Sequence, residues 1–189
     1  LDEDLPFIVE NGAGIYNLNL INSSFPEKIS LSREISEILD IFNNKISKKY
    51  KSKCKFIKNL TSDKQLQIFG QSKEKVKLAM KREYSIPLLY DGSKAEKVDL
   101  IKSVNNAGLS LHEGGRLINL CDKISKSQAM KHVVKIFKKI SKEELVTVGV
   151  GDNFNDLDML KNSDIPCLVF NDKFTMEKIN INNCLVSKK

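Results

Sequence analysis

The chain has 189 residues, of which 41% are hydrophobic, so it is long enough for one full domain or for a core with a smaller insertion. No apolar run approaches the roughly 18 residues that cross a bilayer, and the opening LDEDLPF lacks the basic start and apolar stretch of a signal peptide. We therefore expect a cytoplasmic protein with no membrane partner. The four cysteines are far apart and form no CxxC pair, which argues against a zinc site or a disulfide framework.

Lysine and arginine number 31 against 24 acidic residues, which gives a net charge of +7. Such an excess can indicate a nucleic-acid partner. The basic residues, however, are mainly lysines scattered along helix-like stretches such as NNKISKKYKSKCKFIK, without a run of arginines. We interpret them as solvated helix faces and expect no nucleic-acid partner, only a modest attraction for anionic small molecules.

The first predicted element is a β-hairpin with an Asn-Gly turn. Apolar residues 7–9 form one arm, the polar residues 10–12 form the turn, and the second arm runs through Ile15 and Tyr16. An Asn-Gly pair between two apolar runs is a strong hairpin signal, because both residues accept the positive φ angles of a tight turn.

A long amphipathic helix is predicted between Pro26 and Lys49. Apolar residues recur there at helical spacing, namely Ile29, Leu31, Ile35, Ile38, Leu39, Phe42 and Ile46. Ser30 and Ser32 are candidate caps for its first turn.

Helices and hairpins continue as far as residue 120. A capped helix begins at Ser72, and a short strand follows at residues 87–90. Another helix, SKAEKVDLIKSVNNAG, ends at Gly108, a residue type suited to a helix C-terminus. The segment LSLHEGGRLINL predicts a pair of strands joined at Gly114 and Gly115.

The pattern changes from Ser125 onwards. A helix (SKSQAMKHVVKIFKKI), a buried strand (LVTVGVG), a short helix (NDLDMLKNS) and a second strand (IPCLVF) follow one another. This alternation is typical of a parallel sheet with crossover helices. We therefore predict an α/β fold with a parallel-sheet core, residues 1–25 and 121–189, interrupted by an α+β insertion at residues 26–120.

The most informative segment is VGVGDNFNDLDML, residues 148–160. Open parallel sheets bind ligands at the carboxyl ends of their strands, and Asp152 falls at that end. Asp152 can offer a hard oxygen to Mg²⁺, while Asn155 and Asp156 can hold its waters or a neighbouring side chain. Asp152 can equally well cap the following helix, and the pattern alone leaves both interpretations open. An EF-hand is excluded, because Phe154 occupies the third position of the loop and no glycine occupies the sixth.

Several segments together resemble a known family. GDNFND resembles the fourth motif, GDxxND, of haloacid-dehalogenase-like phosphatases, and SKSQAM resembles their third motif, in which a lysine, here Lys126, opens a helix. PFIVENGAGIY, KREYSIPLLYDG, GLSLHEGGRLINL and GDNFNDLDMLKNSDIPCLV together resemble the mannosyl-3-phosphoglycerate phosphatase family. The resemblance implies a Rossmann-like core with an inserted cap domain, and a phosphorylated sugar acid as the small-molecule substrate.

The resemblance also implies a mechanism. Mg²⁺ held at Asp152, Asn155 and Asp156, with Lys126, would neutralise the phosphate oxygens while an aspartate accepts the phosphoryl group. Further residues are expected to contact the substrate: Asn11, Gly12, His112, Glu113, Gly115 and Arg116. The alternatives are a surface role for Lys126 and Arg116 and a purely structural hairpin turn at Asn11 and Gly12.

The family nucleophile lies in a DxD motif after an apolar strand. Asp2-Glu3-Asp4 imitates this motif, but only Leu1 precedes it. We therefore expect a truncated phosphatase that is inactive by itself. The alternatives are a phosphatase for another sugar phosphate, such as glucosyl-3-phosphoglycerate, and a nonenzymatic sugar-acid-binding protein that has lost its nucleophile. The sequence does not indicate an oligomeric state.

Overall fold

The computed structural model describes residues 5–114, 117–169 and 181–187. The chain forms two compact units. The discontinuous unit contains segments 1–31 and 124–189, and the inserted unit contains residues 32–123. No helix within the described ranges is both long and apolar enough to cross a membrane.

In the residues that the structure describes, the strands form one parallel and two antiparallel sheets. In chain order they are β1 (Phe7–Val9), β2 (Gly14–Tyr16), β3 (Lys28–Ser30), α1 (Ile35–Lys45), α2 (Lys48–Lys51), β4 (Cys54–Phe56), α3 (Ser62–Phe69), α4 (Lys73–Ala79), β5 (Ser85–Tyr90), α5 (Lys94–Asn106), β6 (Leu109–Gly114), β7 (Leu117–Asp122), α6 (Lys126–Phe137), β8 (Val148–Gly151), α7 (Leu157–Lys161), β9 (Ile165–Leu168) and β10 (Leu185–Val186). The strand orders are β1-β2-β3, β10-β9-β8 and β4-β5-β7-β6. The described chain is therefore a mixed α/β protein.

The predicted N-terminal hairpin is confirmed. β1 pairs antiparallel with β2, and the rings of Phe7 and Tyr16 stack across the pair with centroids 5.4 Å apart. Asn11 and Gly12 take φ angles of 61° and 106° in the connecting turn. The Asn-Gly pair therefore supplies two of the positive φ angles that reverse the chain, and Glu10, with φ 48°, precedes them.

The single long helix predicted after the hairpin is wrong. Ile29 lies in strand β3, opposite β2 in an antiparallel pair, and Leu31 follows it. Helix α1 begins only at Ile35, so the serines proposed as caps, Ser30 and Ser32, both precede it. The alternating Ile29 and Leu31 fit the two-residue period of a strand, and helical periodicity sets in after them.

The inserted unit is an antiparallel sheet with an apolar core against one face. Alternate strand residues such as Ile86, Leu88 and Leu120 point to this face and pack with α1 and α5. Ser93 and Glu96 form a reciprocal capping box at the start of α5, and Gly108, with φ 80°, follows its end, where the sequence predicted a C-terminus. The sequence did not predict α2, β4 or α3.

Arg33 and Asp122 join the beginning and the end of the inserted unit. The guanidinium donates from Nε and Nη2 to the two carboxylate oxygens at 2.9 and 2.6 Å, and Nη2 also donates to the carbonyl of Gly108 at 2.7 Å. The hydrogen bonds from Arg33 lower the pKa of the Asp122 carboxyl below its usual value. This forked pair fixes the two chain ends that enter and leave the unit.

The predicted parallel arrangement of the C-terminal strands is confirmed. Val148 of β8 pairs with Ile165 of β9, and Leu185 of β10 pairs with Cys167, both in parallel register. Helices α6 and α7 pack against each other in the same unit, and α7 contacts β8 and β9. The parallel sheet places the loop after β8 at the carboxyl end of its strands.

Candidate active site

The loop after β8 is organised around the side chain of Asp156. One carboxylate oxygen, Oδ2, accepts the backbone N–H groups of Asp152 and Asn153, both at 3.2 Å. Asn153 caps the short 3₁₀ turn Phe154–Asp156 that leads into α7. Because the cap is Asn153, the alternative that Asp152 caps this helix is wrong. Asp152 and Asn155 are exposed at the end of the strand.

Asp156 is buried, with 4% of the residue exposed, and lies directly against Gly151. A Cβ atom at Gly151 would lie 2.4 Å from the Cβ of Asp156, a distance that real side chains do not tolerate. Glycine is therefore required at position 151 so that the carboxylate can reach the loop amides. This explains why a glycine precedes the acidic residues.

Lys126 brings the two sequence motifs together. Ser125 and Gln128 form a capping box, so that Lys126 is the first residue of α6. Its Nζ donates to Oδ1 of Asp156 at 2.5 Å, with 33% of the lysine side chain and 6% of the aspartate side chain exposed. Three donors thus use both oxygens of Asp156, and the ammonium of Lys126 keeps one side open to solvent.

The turn of the N-terminal hairpin packs against the start of α6. A Cβ atom at Gly12 would lie 2.4 Å from the carbonyl oxygen of Ser125, and the φ of 106° is also unfavourable for any other residue. Asn11 precedes it with φ 61°. The structure therefore places the predicted residues Asn11 and Gly12 beside the helix that begins with Lys126. Their contact with a substrate stays a prediction.

Ser125 and Asp158, to which no motif assigned a role, also join α6 to α7. The hydroxyl of Ser125 donates to Oδ2 of Asp158 at 3.0 Å, and Asn162 donates to the backbone carbonyl of Asp158 at 2.7 Å. Ser125 and Asp158 are 33 residues apart. No local pattern signals such a contact, because it depends on how the two helices pack.

The donor set fits a hard cation better than a closed metal cage. Mg²⁺ needs one or two protein carboxylates and keeps water or phosphate as its other ligands, and exposed Asp152 with the amide oxygen of Asn155 meets this need. Within the described part of the chain, no group of three or more His, Cys, Asp or Glu residues could hold a metal. Asp156 already accepts hydrogen bonds from Lys126 and from the loop amides. These contacts favour an indirect role for Asp156 in metal binding.

Two of the residues predicted to bind substrate, His112 and Glu113, do not lie on the same face of the sheet in the inserted unit. His112 and Glu113 are consecutive in β6, so their side chains point to opposite faces of the sheet. His112 lies opposite Asn119 of β7, whereas Glu113 forms an ion pair at 2.8 Å with Lys97 of α5. Gly115 and Arg116 lie outside the described residues, as do Asp2 and Asp4.

Comparison with known proteins identifies the family. A glucosyl-3-phosphoglycerate/mannosyl-3-phosphoglycerate phosphatase from Persephonella marina is 31% identical in an alignment of 185 positions that covers 93% of this chain and 67% of the relative. The chain belongs to the mannosyl-3-phosphoglycerate phosphatase family of haloacid-dehalogenase-like hydrolases. A relative of the same name from Methanococcoides burtonii is 29% identical in an alignment of 181 positions that covers 87% of this chain and 63% of the relative. The chain thus spans about two thirds of the length of these curated relatives.

Solved structures of haloacid-dehalogenase proteins share the fold of this family member. A hydrolase of the HAD/COF type from Plasmodium vivax superposes with a TM-score of 0.57 at 16% identity, covering 93% of this chain and 64% of that structure. A subclass IIB sugar phosphatase superposes with a TM-score of 0.52 at 16% identity, covering 87% and 64%. No protein-family model matches the chain.

Proposed function

We propose that the protein is a Mg²⁺-dependent phosphatase that removes phosphate from mannosyl-3-phosphoglycerate to give mannosylglycerate. The observation that carries this proposal is the ion pair of Lys126 with Asp156 at the carboxyl end of β8. Family membership supplies the substrate class, because the relatives are named for glucosyl- and mannosyl-3-phosphoglycerate. Glucosyl-3-phosphoglycerate is therefore the alternative substrate.

Lys126 is proposed to bind the phosphoryl group. Transfer of a phosphoryl group depends on neutralising the charge on its oxygens, and a positioned ammonium does this without reorganising water. Asp156 uses one oxygen to hold Nζ in place, and Lys126 can direct its remaining N–H bonds at a ligand. The lysine is only one third exposed, so less solvent screens its charge than at a free surface.

The loop is proposed to present carboxylate oxygen and not backbone amides to the ligand. Oδ2 of Asp156 accepts the N–H groups of Asp152 and Asn153, so these amides do not bind a phosphate directly. Asp152, with Asn155 beside it, would hold Mg²⁺, and the ion when bound supplies positive charge to the phosphate oxygens. A cation beside Asp152 and the ammonium of Lys126 together suit a dianionic phosphate.

The other parts of the proposed reaction are implied by the family resemblance. An aspartate would receive the phosphoryl group before water releases it. This aspartate is neither Asp152 nor Asp156. His112, Glu113, Gly115 and Arg116 are the proposed substrate contacts of an inserted cap domain. Asn11 and Gly12 are proposed contacts beside α6.

Phosphate release from both sugar phosphoglycerates tests the proposal. The full-length protein should release phosphate in the presence of Mg²⁺, and this release should stop when EDTA is added. The Lys126→Met variant should lose most of the activity. The rate ratio between the mannosyl and glucosyl compounds identifies the preferred substrate.

Two results would overturn the proposed enzyme. One is the absence of phosphate release from either compound by the full-length protein. The other is full activity in the Lys126→Met variant. Tight binding of the sugar phosphoglycerate without release, measured by calorimetry, would instead favour a nonenzymatic binding protein.

A further inference from the structure

The start of α6 is held at two adjacent positions, one bonded to the loop after β8 and the other to α7. Lys126 donates to Asp156 at 2.5 Å, and the preceding residue, Ser125, donates from its hydroxyl to Asp158 at 3.0 Å. The first of these links belongs to the site described above. The second has no part in the proposed chemistry, yet it fixes the residue next to the lysine.

The backbone and side-chain polar groups of Ser125 all make contacts. Its hydroxyl oxygen accepts the N–H of Gln128 at 3.2 Å, while its own backbone N–H donates to Oε1 of Gln128 at 2.8 Å. Its carbonyl lies against the backbone of Gly12. Only the hydroxyl proton is left to connect the cap to another element, and Asp158 accepts it.

The carboxylate of Asp158 is itself oriented by its own helix. Asn162, four residues further on, donates from Nδ2 to the backbone carbonyl of Asp158 at 2.7 Å and lies 3.3 Å from Oδ1. Oδ1 therefore faces α7 and Oδ2 faces Ser125. The orientation is the one needed to hold the cap of α6.

We propose that Asp158 is a positioning residue, which fixes the start of α6 through the hydroxyl of Ser125 and so sets where the ammonium of Lys126 lies. This inference rests on the proposed function, in which Lys126 binds the phosphoryl group. Asp158 does not touch the substrate.

The reason is geometric. Lysine has a long flexible stem, so the position of Nζ depends on where its backbone is held and on the acceptor at its tip. The acceptor, Asp156, is fixed by the loop amides of Asp152 and Asn153. The backbone of α6 is fixed relative to that loop by the bond from Ser125 to Asp158. A misplacement of about 1 Å at a catalytic group can reduce a rate by about 100-fold.

A structural role without effect on the lysine is the competing explanation. The Ser125–Asp158 bond is near the surface, where one hydrogen bond contributes little to stability. The two explanations differ in their consequences. A stabilising contact would affect the whole unit, whereas a positioning contact would affect Lys126 and the rate constant kcat.

The first experiment is a kinetic double-mutant cycle in the full-length gene product. Asp158→Ala and Ser125→Ala should each lower kcat by about tenfold, less than a lost catalytic group because Asp156 still holds the amine. KM should stay within about twofold, and the double variant should be no worse than Ser125→Ala, which also removes the acceptor for the Gln128 N–H. Asp158→Asn should restore most of the activity, because its amide oxygen still accepts the hydroxyl proton. Asp99→Ala, an exposed aspartate of α5, is the matched control.

The second experiment does not depend on activity. Acetic anhydride labelling, resolved by mass spectrometry of peptides, compares Lys126 with Lys131 of the same helix. Asp158→Ala should raise the labelling rate of Lys126 relative to Lys131 by about threefold, the factor expected for loss of one exposed hydrogen bond. Asp158→Asn and Asp99→Ala should leave the ratio unchanged.

The outcomes separate the two proposals. If the wild-type protein releases no phosphate, the proposed function fails, and the labelling ratio still decides whether Asp158 positions Lys126. If the wild-type protein is active but the Ser125 and Asp158 effects add, or the labelling ratio stays constant in Asp158→Ala, the positioning role is overturned and the proposed function stands.

Discussion

Nζ of Lys126 lies 2.5 Å from Oδ1 of Asp156, a residue 30 positions later in the chain. The contact joins the first turn of α6 to the loop after β8, so a helix start and a strand end meet at one point. A carboxylate that is 94% covered would be costly to bury alone, and the lysine with two loop amides provides the donors it needs. The same arrangement leaves Asp152 exposed beside them.

Replacing Asp156 should cost both stability and activity. In Asp156→Ala, Lys126 and the N–H groups of Asp152 and Asn153 lose their acceptor, and we expect the free energy of unfolding to fall by about 2–4 kcal/mol. Urea unfolding measures the change, with Asp63→Ala, an exposed aspartate of α3, as the control. A loss no larger than that of the control would show that the carboxylate does not organise the loop.

Replacing Asp152 should affect Mg²⁺ and leave stability almost unchanged. Asp152→Asn removes a charge from the proposed cation site, and the Mg²⁺ concentration for half-maximal activity should rise at least about tenfold, because even outer partners of metal ligands change affinity by 10- to 100-fold. Magnesium titrations of phosphate release measure this. The free energy of unfolding should stay within about 0.5 kcal/mol of the wild type, as for other surface substitutions. An unchanged magnesium requirement would remove Asp152 from the cation site.

Elements with local signals were predicted well from the sequence. Gly108 marked the end of α5, the helix predicted from Ser125 onwards is α6, and the Asn-Gly pair marked the first hairpin. Their boundaries depend on capping and turn chemistry that a few neighbouring residues decide. Strand β3 was missed because Ile29 belongs to a sheet whose partner strand lies before it in the chain. Its spacing in the sequence is compatible with both a helix and a strand.

The candidate site shows the same division. The acidic loop and Lys126 could be identified from motifs, and their resemblance to a family assigned them related roles. The bond of Ser125 to Asp158 could not be, because it depends on how α6 and α7 pack. The bonds of Asp156 to the amides of Asp152 and Asn153 are local, within four residues, and belong to a capping box that the motif did not reveal. The separation of His112 from Glu113 follows from strand alternation once β6 is known.

Gly12 and Gly70 form a matched pair of glycine substitutions. Both have positive φ, 106° and 60°, but an added Cβ at Gly12 would lie 2.4 Å from the Ser125 carbonyl, whereas nothing lies within 4 Å at Gly70. Gly70→Ala should cost about 1 kcal/mol from the left-handed backbone alone. Gly12→Ala should cost at least about 2 kcal/mol more, because the turn must move away from α6.

Urea unfolding of both glycine variants gives the comparison. Activity should also fall in Gly12→Ala, since the displaced turn touches the residue before Lys126, and it should be unchanged in Gly70→Ala. Equal losses of stability would contradict the close packing of the hairpin turn on α6.

The Arg33–Asp122 pair should make the inserted unit sensitive to acid. The hydrogen bonds from Arg33 lower the pKa of Asp122 in the folded protein, so the pair stabilises the fold fully above the unfolded pKa of about 3.9. This contribution is lost as the pH falls through the lower, folded pKa. Asp122→Asn should therefore cost about 1–2 kcal/mol at pH 7, allowing for solvent screening of the partly exposed arginine, and less in strong acid.

The exposed pair Lys55–Asp91 provides the control for that prediction. Its side chains are 56% and 72% exposed, and Asp91→Asn should leave the free energy of unfolding unchanged within the error of the measurement at either pH. Urea unfolding at pH 7 and pH 3, monitored by tyrosine fluorescence, measures both variants, since Tyr84 of the inserted unit is buried with 1% exposed. Because Arg33 also reaches the carbonyl of Gly108, Asp122→Asn should leave the start of α1 held to the end of α5. If the Asp122 and Asp91 variants lose equal stability at pH 7, the Arg33–Asp122 pair does not stabilise the inserted unit more than an exposed ion pair does.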